Sequence, residues 1–152
     1  MAAPANANAN ILIVDDSAED YETTVRALRV AKLANPVGWC RDGDDALDYL
    51  YRRGRYQDVD TPRPAVILLD LNLPGTDGRE VLAEVKQDES LKLIPVIVLT
   101  SSSDSRDIAA CYAAGANSYM QKPVSFDGFV EAIRRMTGFW FEIAILPGTV
   151  DP

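Results

Sequence analysis

Three short stretches constrain this chain more than anything else in it. They are Ile11-Leu12-Ile13-Val14, Ala65-Val66-Ile67-Leu68-Leu69 and Pro95-Val96-Ile97-Val98-Leu99, each without a polar break and each followed at once by a polar residue. A strand with one face in water alternates apolar with polar. A strand that is apolar at every position is covered on both faces, as in a parallel sheet packed between helices. Val37 to Arg41 and Asn117 to Met120 are weaker strand candidates.

Between these runs the apolar period becomes helical. Ser17 with Asp20 reads as a capping box opening a helix that turns Val25, Leu28 and Ala31 inward. A second helix opens near Asp44 with Leu47 and Leu50. A third follows Asp77-Gly78 with Val81, Leu82 and Val85, a fourth follows Ser105 with Ile108, Cys111 and Tyr112, and a fifth begins near Ser125 with Phe129, Val130 and Ile133. Strand then helix, repeated five times with right-handed crossovers, gives an α/β fold: a doubly wound five-stranded parallel sheet of flavodoxin type. Ligands of that architecture bind at the carboxyl ends of the strands. The polar residues leaving those ends are Asp15 and Asp16, then Asp70, Thr100 and, just past the fifth strand, Lys122.

A chain of 152 residues removes roughly 70% of its extended-chain surface from water, enough for one domain with its own core. Its expected divisions are a disordered Ala/Asn leader over 1–10, the βα domain over 11–137 and a C-terminal extension over 138–152. The net charge of −8 argues against binding nucleic acid or an anionic membrane. The absence of histidine removes Ser-His-Asp and Cys-His catalysis, imidazole metal sites and any phosphohistidine carried by the chain itself. Cys40 and Cys111 fit no CxxC or zinc spacing and read as reduced, partly buried thiols, which suits a cytoplasmic location. No signal peptide or membrane-spanning run is visible.

Three carboxylates gathered in an apolar-backed crevice repel, so their pKa values rise unless a cation sits among them. Mg²⁺, which takes hard oxygen ligands and keeps several waters, is the natural occupant. With Lys122 as an ammonium and Thr100 as a hydroxyl donor, the set suits a phosphoryl group carried on an aspartate. Each residue alone has a plainer reading: Asp15-Asp16 as a turn and cap, Thr100 as a cap, Lys122-Pro123 as a turn. The functional reading rests on four separate strand ends each supplying the required chemistry.

Ile13-Val14-Asp15-Asp16, Leu68-Leu69-Asp70-Leu71-Asn72-Leu73-Pro74-Gly75-Thr76-Asp77-Gly78, Val98-Leu99-Thr100-Ser101 and Tyr119-Met120-Gln121-Lys122-Pro123 resemble the receiver domain of two-component response regulators over roughly residues 10–137. The resemblance implies that a partner histidine kinase phosphorylates Asp70. It further implies that Asp16, Asp70 and the backbone carbonyl of Asn72 hold Mg²⁺, with Asp15 reaching it through water. Lys122 then contacts the phosphoryl group, Thr100 moves toward it and draws Tyr119 inward, and Lys122–Pro123 is a cis peptide.

Other functional classes fit these residues less well than a switch does. A phosphoaspartate-forming phosphatase of the haloacid-dehalogenase type resembles Asp-x-Asp at its nucleophile, whereas Asn72 stands two after Asp70 and its amide cannot act as a base. A role as intermediate in a multistep phosphorelay is a further alternative. A transcription factor is disfavoured because about 15 residues follow the fifth helix, too few for a helix-turn-helix. Two stretches exceed a minimal receiver: the basic connection from Arg52 to Pro64 and the apolar tail Phe139 to Pro147. With these the chain resembles regulators paired with phytochrome-type, bilin-binding kinases. The basic connection reads either as a solvated link or as part of that pairing. Phe139, Trp140, Phe141, Ile143 and Leu146 are the expected interface of a homodimer, since large apolar side chains left in water form a patch monomers rarely expose.

Overall fold

The computed structural model describes residues 9–147. Its strands β1 (Ile11–Val14), β2 (Val37–Cys40), β3 (Val66–Leu69), β4 (Val96–Thr100) and β5 (Ser118–Gln121) pair in parallel in the order β2-β1-β3-β4-β5. Helices α1 (Ala18–Val30), α2 (Gly43–Tyr51), α3 (Gly78–Gln87), α4 (Ser105–Ala113) and α5 (Phe126–Gly138) connect them. The doubly wound sheet is therefore the one expected from the apolar runs.

Successive side chains on a strand point to opposite faces, and the unbroken runs accordingly feed two cores. Leu12, Val14, Ile67, Leu69, Val96 and Val98 pack with Leu47, Val81, Leu82, Val85 and Cys111 on one face. Ile11, Ile13, Val66, Leu68, Ile97 and Leu99 pack with Leu28, Phe129 and Ile133 on the other. Strands β2 and β5 lie at the sheet edges and are only partly buried, which explains their weaker apolar signal.

Each helix starts at a side-chain cap. Ser17, Asp42, Asp77, Asp104 and Ser125 accept from backbone N–H groups two or three residues on, worth about 1 kcal/mol apiece. Helix α2 begins at Gly43, one residue before the expected Asp44, because Asp42 is the cap. Tyr112 does not face inward. It is half-exposed, and its hydroxyl accepts from the Tyr119 N–H at 3.1 Å.

The basic connection after α2 is folded back onto that helix. Arg53 pairs with Asp48, Arg55 with Asp45 through two bonds of 2.8 and 2.7 Å, and Arg63 donates to Ser90. Exposed ion pairs contribute little. The anchor is Tyr56, buried with its hydroxyl 3.0 Å from Asp45 Oδ2 and its ring edge-on to Tyr49.

The structure revises two expectations at the termini. Residues 1–8 of the supposed leader lie outside the described residues, but Ala9 and Asn10 belong to the fold: Ala9 O accepts from Asn35 Nδ2 at 2.9 Å and Asn10 O from the Ala65 N–H at 2.8 Å. The extension continues α5 through a π-helical turn, Phe139–Ile143; residues 148–152 lie outside the described residues. Within this turn and just beyond it, Phe141 and Leu146 do not present the exposed apolar surface expected of them. They are fully buried against Leu28, Phe129, Ile133 and Met136 of their own chain. Folding back gains the same apolar burial without the entropic cost of association. Phe139, Ile143 and the neighbouring Ile145 remain exposed, and Trp140 is half-buried with its ring 5.3 Å from that of Phe139.

Among the described residues, no helix is long and apolar enough to cross a membrane. Cys40 and Cys111 are both buried thiols, and burial pushes Cys40 up to about 12.

Candidate functional site

The register of the sheet assembles the rim. Val14 lies level with Leu69, so Asp15 and Asp70 leave the sheet side by side, and Thr100 at the end of β4 lies level with Gln121, immediately before Lys122. Carboxylate oxygens of Asp15, Asp16 and Asp70 come within 4.8 Å of one another. Asp15 and Asp70 are buried and Asp16 is exposed. Gly78 permits this arrangement: a Cβ there would lie 2.2 Å from the carbonyl oxygen of Asp70, so the first turn of α3 rests directly on the backbone of the β3 end.

Lys122 Nζ donates to Asp15 Oδ2 at 2.8 Å, to Asp20 Oδ2 at 2.8 Å and to Asp70 Oδ2 at 3.1 Å. An ammonium has three N–H donors, and all are committed to carboxylates. The lysine side chain is 9% exposed. Burial pulls its pKa down, but the hydrogen bonds to Asp15 and Asp20 and the charges of Asp15 and Asp70 more than offset that, leaving it above the ordinary lysine value. Burial pushes Asp15 the other way, above the usual carboxylate range, even though Lys122 and the Ser17 N–H both favour its charged form.

Three carboxylates thus share one ammonium, and a fourth, Asp16, stands beside two of them without a bond to it. Hard oxygen donors, an unbalanced negative charge and an exposed Asp16 that leaves room for water form a fitting divalent-cation site. Asn72 is exposed, with its N–H 3.4 Å from Asp70 Oδ1. The hydroxyl of Thr100 is buried and has no hydrogen-bond partner among the described residues. Such a group costs about 1–3 kcal/mol and stands ready for an acceptor. Tyr119, half-buried, donates its hydroxyl to Ser102 O at 3.0 Å. Ser102 Oγ in turn donates to Asp107, which Arg79 grips through two bonds of 2.9 Å.

The structure has no cis peptide at Lys122–Pro123 or elsewhere among the described residues, against the expectation from the resemblance. An X–Pro bond prefers trans by about 0.5–1 kcal/mol, and with the trans bond Lys122 already reaches all three carboxylates while its N–H bonds Thr100 O at 2.7 Å.

Two residues of the site escaped the sequence reading. By its spacing from Ser17, Asp20 is the expected reciprocal partner of a capping box. Ser17 Oγ does accept from the Asp20 N–H at 3.1 Å, but the Asp20 carboxylate turns to Lys122, 102 residues away in the chain. Trp39 donates its indole N–H to Asp15 O at 2.8 Å and stacks on Tyr21 with centroids 4.1 Å apart. An aromatic in an edge strand gave no signal of either contact.

The family model described as the response regulator receiver domain matches residues 11–134. The response regulator Rcp1 of Synechocystis sp. is 40% identical over 137 residues, covering 90% of this chain and 92% of that protein. The structure of the Mn²⁺-bound form of Rcp1 superposes with a TM-score of 0.87 at 39% identity, covering 92% of this chain and 99% of that one. The phosphorylated cyanobacterial phytochrome response regulator RcpA gives a TM-score of 0.87 at 38% identity over 93% of this chain and 99% of its own.

Proposed function

The chain belongs to the response regulator receiver family, and from that premise we propose that it takes a phosphoryl group onto Asp70 from the phosphohistidine of a partner kinase and signals through protein contacts. The observation that carries this reading is the placement of Lys122 Nζ within 3.1 Å of Asp70, beside a buried Thr100 hydroxyl without a partner. A carboxylate oxygen of Asp70 attacks phosphorus in line, the P–N bond breaks, and its electron pair leaves with the imidazole. Lys122 moves the N–H it gives Asp70 onto a phosphoryl oxygen, and Thr100 supplies a second donor once its loop closes toward the group. Asp15, Asp16, Asp70 and the carbonyl of Asn72 would hold Mg²⁺, which when bound would supply positive charge beside the phosphoryl group. Movement of Thr100 frees space for Tyr119 to turn inward, releasing Ser102 and altering the surface formed by α4, β5 and α5.

Asn72 provides no base to activate water, so the chain acts as a phosphoacceptor switch that catalyses its own phosphotransfer from the kinase and loses the group slowly, rather than as a turnover catalyst. Similarity to a phytochrome response regulator supports a bilin-binding photoreceptor kinase as donor in the cytoplasm. The exposed Phe139, Ile143 and Ile145 support a homodimer built on the outer face of the tail, with Trp140 at its margin. Incubation with candidate kinases, labelled ATP and Mg²⁺ in red and far-red light tests the reading. Wild type should take label in a light-dependent manner and Asp70→Asn none; wild-type labelling in the variant rejects the assignment.

A further inference from the structure

Lys122 and a divalent cation make conflicting demands on the same carboxylates. Two of the three oxygens that accept from Lys122 belong to Asp15 and Asp70, which are members of the cation cluster. Asp20 is the exception. It stands on the first turn of α1, outside the cluster of Asp15, Asp16 and Asp70, and accepts from Lys122 Nζ at 2.8 Å. Its side chain is 36% exposed, whereas that of Asp15 is 7% exposed. Solvent therefore supports the Asp20 charge whichever way the ammonium leans, and a rotation within the lysine side chain can transfer weight to Asp20 without moving the backbone.

We propose that Asp20 is a positioning residue: it holds the Lys122 ammonium at the edge of the site so that Asp15 and Asp70 can turn their oxygens to the cation. This rests on the divalent-cation reading given above. Without the Asp20 carboxylate, Lys122 has only Asp15 and Asp70 to pair with and competes directly with the metal for them. The alternative is that Asp20 acts merely as one more negative charge near a cation, or merely stabilises α1 through its place in the first helical turn. Those roles do not depend on the presence of Lys122, and the proposed one does.

A double-mutant cycle separates them. Mg²⁺ is titrated into the unphosphorylated full chain by calorimetry, with Trp39 emission, read in a Trp140→Phe background, as a second readout because its indole N–H is bonded to Asp15 O. Asp20→Asn should weaken Mg²⁺ binding about five- to tenfold with Lys122 present and less than about twofold in a Lys122→Met background, the usual range for coupled charged neighbours. Asp20→Glu should recover most of the affinity by restoring a carboxylate. Equal losses in both backgrounds, or an Asp20→Asn variant that binds Mg²⁺ like wild type, overturns the proposal while leaving the cation site intact. Absence of any Mg²⁺ response in wild type overturns the cation reading itself. Melting curves of each variant without metal identify any whose fold is lost, and for those the cycle is completed with Asp20→Ser in place of Asp20→Asn.

Discussion

Phe141→Ala tests whether the tail belongs to the protomer or to a dimer contact. Phe141 is fully buried within its own chain, among Leu28, Phe129, Ile133 and Met136. Removing a buried phenyl ring costs about 3–5 kcal/mol, part from lost transfer and part from the cavity left behind. At a urea m value of about 2 kcal/mol/M, that lowers the unfolding midpoint by about 2 M. Phe139→Ala is the internal control, since Phe139 is 51% exposed and should cost less than about 1 kcal/mol. Ending the chain at Gly138 removes both Phe141 and Leu146, whose combined cost approaches the whole stability of a domain this size, about 5–15 kcal/mol. Such a truncated chain is therefore expected to unfold readily rather than to persist as a competent monomer. The assay is urea unfolding followed by circular dichroism at two protein concentrations tenfold apart. A Phe141→Ala loss no larger than that of Phe139→Ala, or one that appears only on dilution, would refute the placement of Phe141 in the protomer core.

Other perturbations have equally definite outcomes. Millimolar Mg²⁺ should raise the melting temperature of wild type, by the equivalent of about 2.7 kcal/mol at a hundredfold excess over Kd; Asp16→Ala should lose most of that response and be more stable than wild type without metal. Gly78→Ala should cost at least about 2 kcal/mol in urea unfolding, because the new methyl carbon meets Asp70 O at 2.2 Å; a neutral result would mean that α3 is not seated on that carbonyl. Hydrogen bonds from Arg79 hold the Asp107 carboxyl down at about 2. A folded pKa below the unfolded one contributes stability that is present above about pH 4 and lost as pH falls through about 2. Unfolding midpoints measured from pH 5 to 2 should therefore fall more steeply for wild type than for Asp107→Asn, and parallel curves would show that the pair does not persist in solution. The homodimer proposed above predicts that in sedimentation the full chain runs as a dimer and Ile143→Asp shifts it toward monomer; an unchanged mass would place any dimer contact elsewhere.

The amino-acid sequence by itself determined the sheet, its two cores and the rim. Unbroken apolar runs have only one way to hide both faces, and the polar residue ending each run has only one end of the sheet to occupy, so the sequence alone gathers Asp15, Asp70, Thr100 and Lys122 at one rim. The helix starts at Ser17, Asp77 and Ser125 were equally readable, because the signal for a helix start acts over about three residues. What lay between distant segments was decided only in three dimensions. Whether Asp20 returns to its own helix or reaches Lys122, whether Trp39 touches Asp15, and whether Phe141 meets a partner chain or Ile133 all depend on side-chain directions set by packing. The tail shows the reason most plainly. Its apolar residues required burial but not a particular surface, and the π-helical turn after Gly138 sends Phe141 inward and leaves Phe139 and Ile143 outside. Hydrophobicity is non-directional, so the sequence stated how much had to be buried while the geometry of the folded chain chose where.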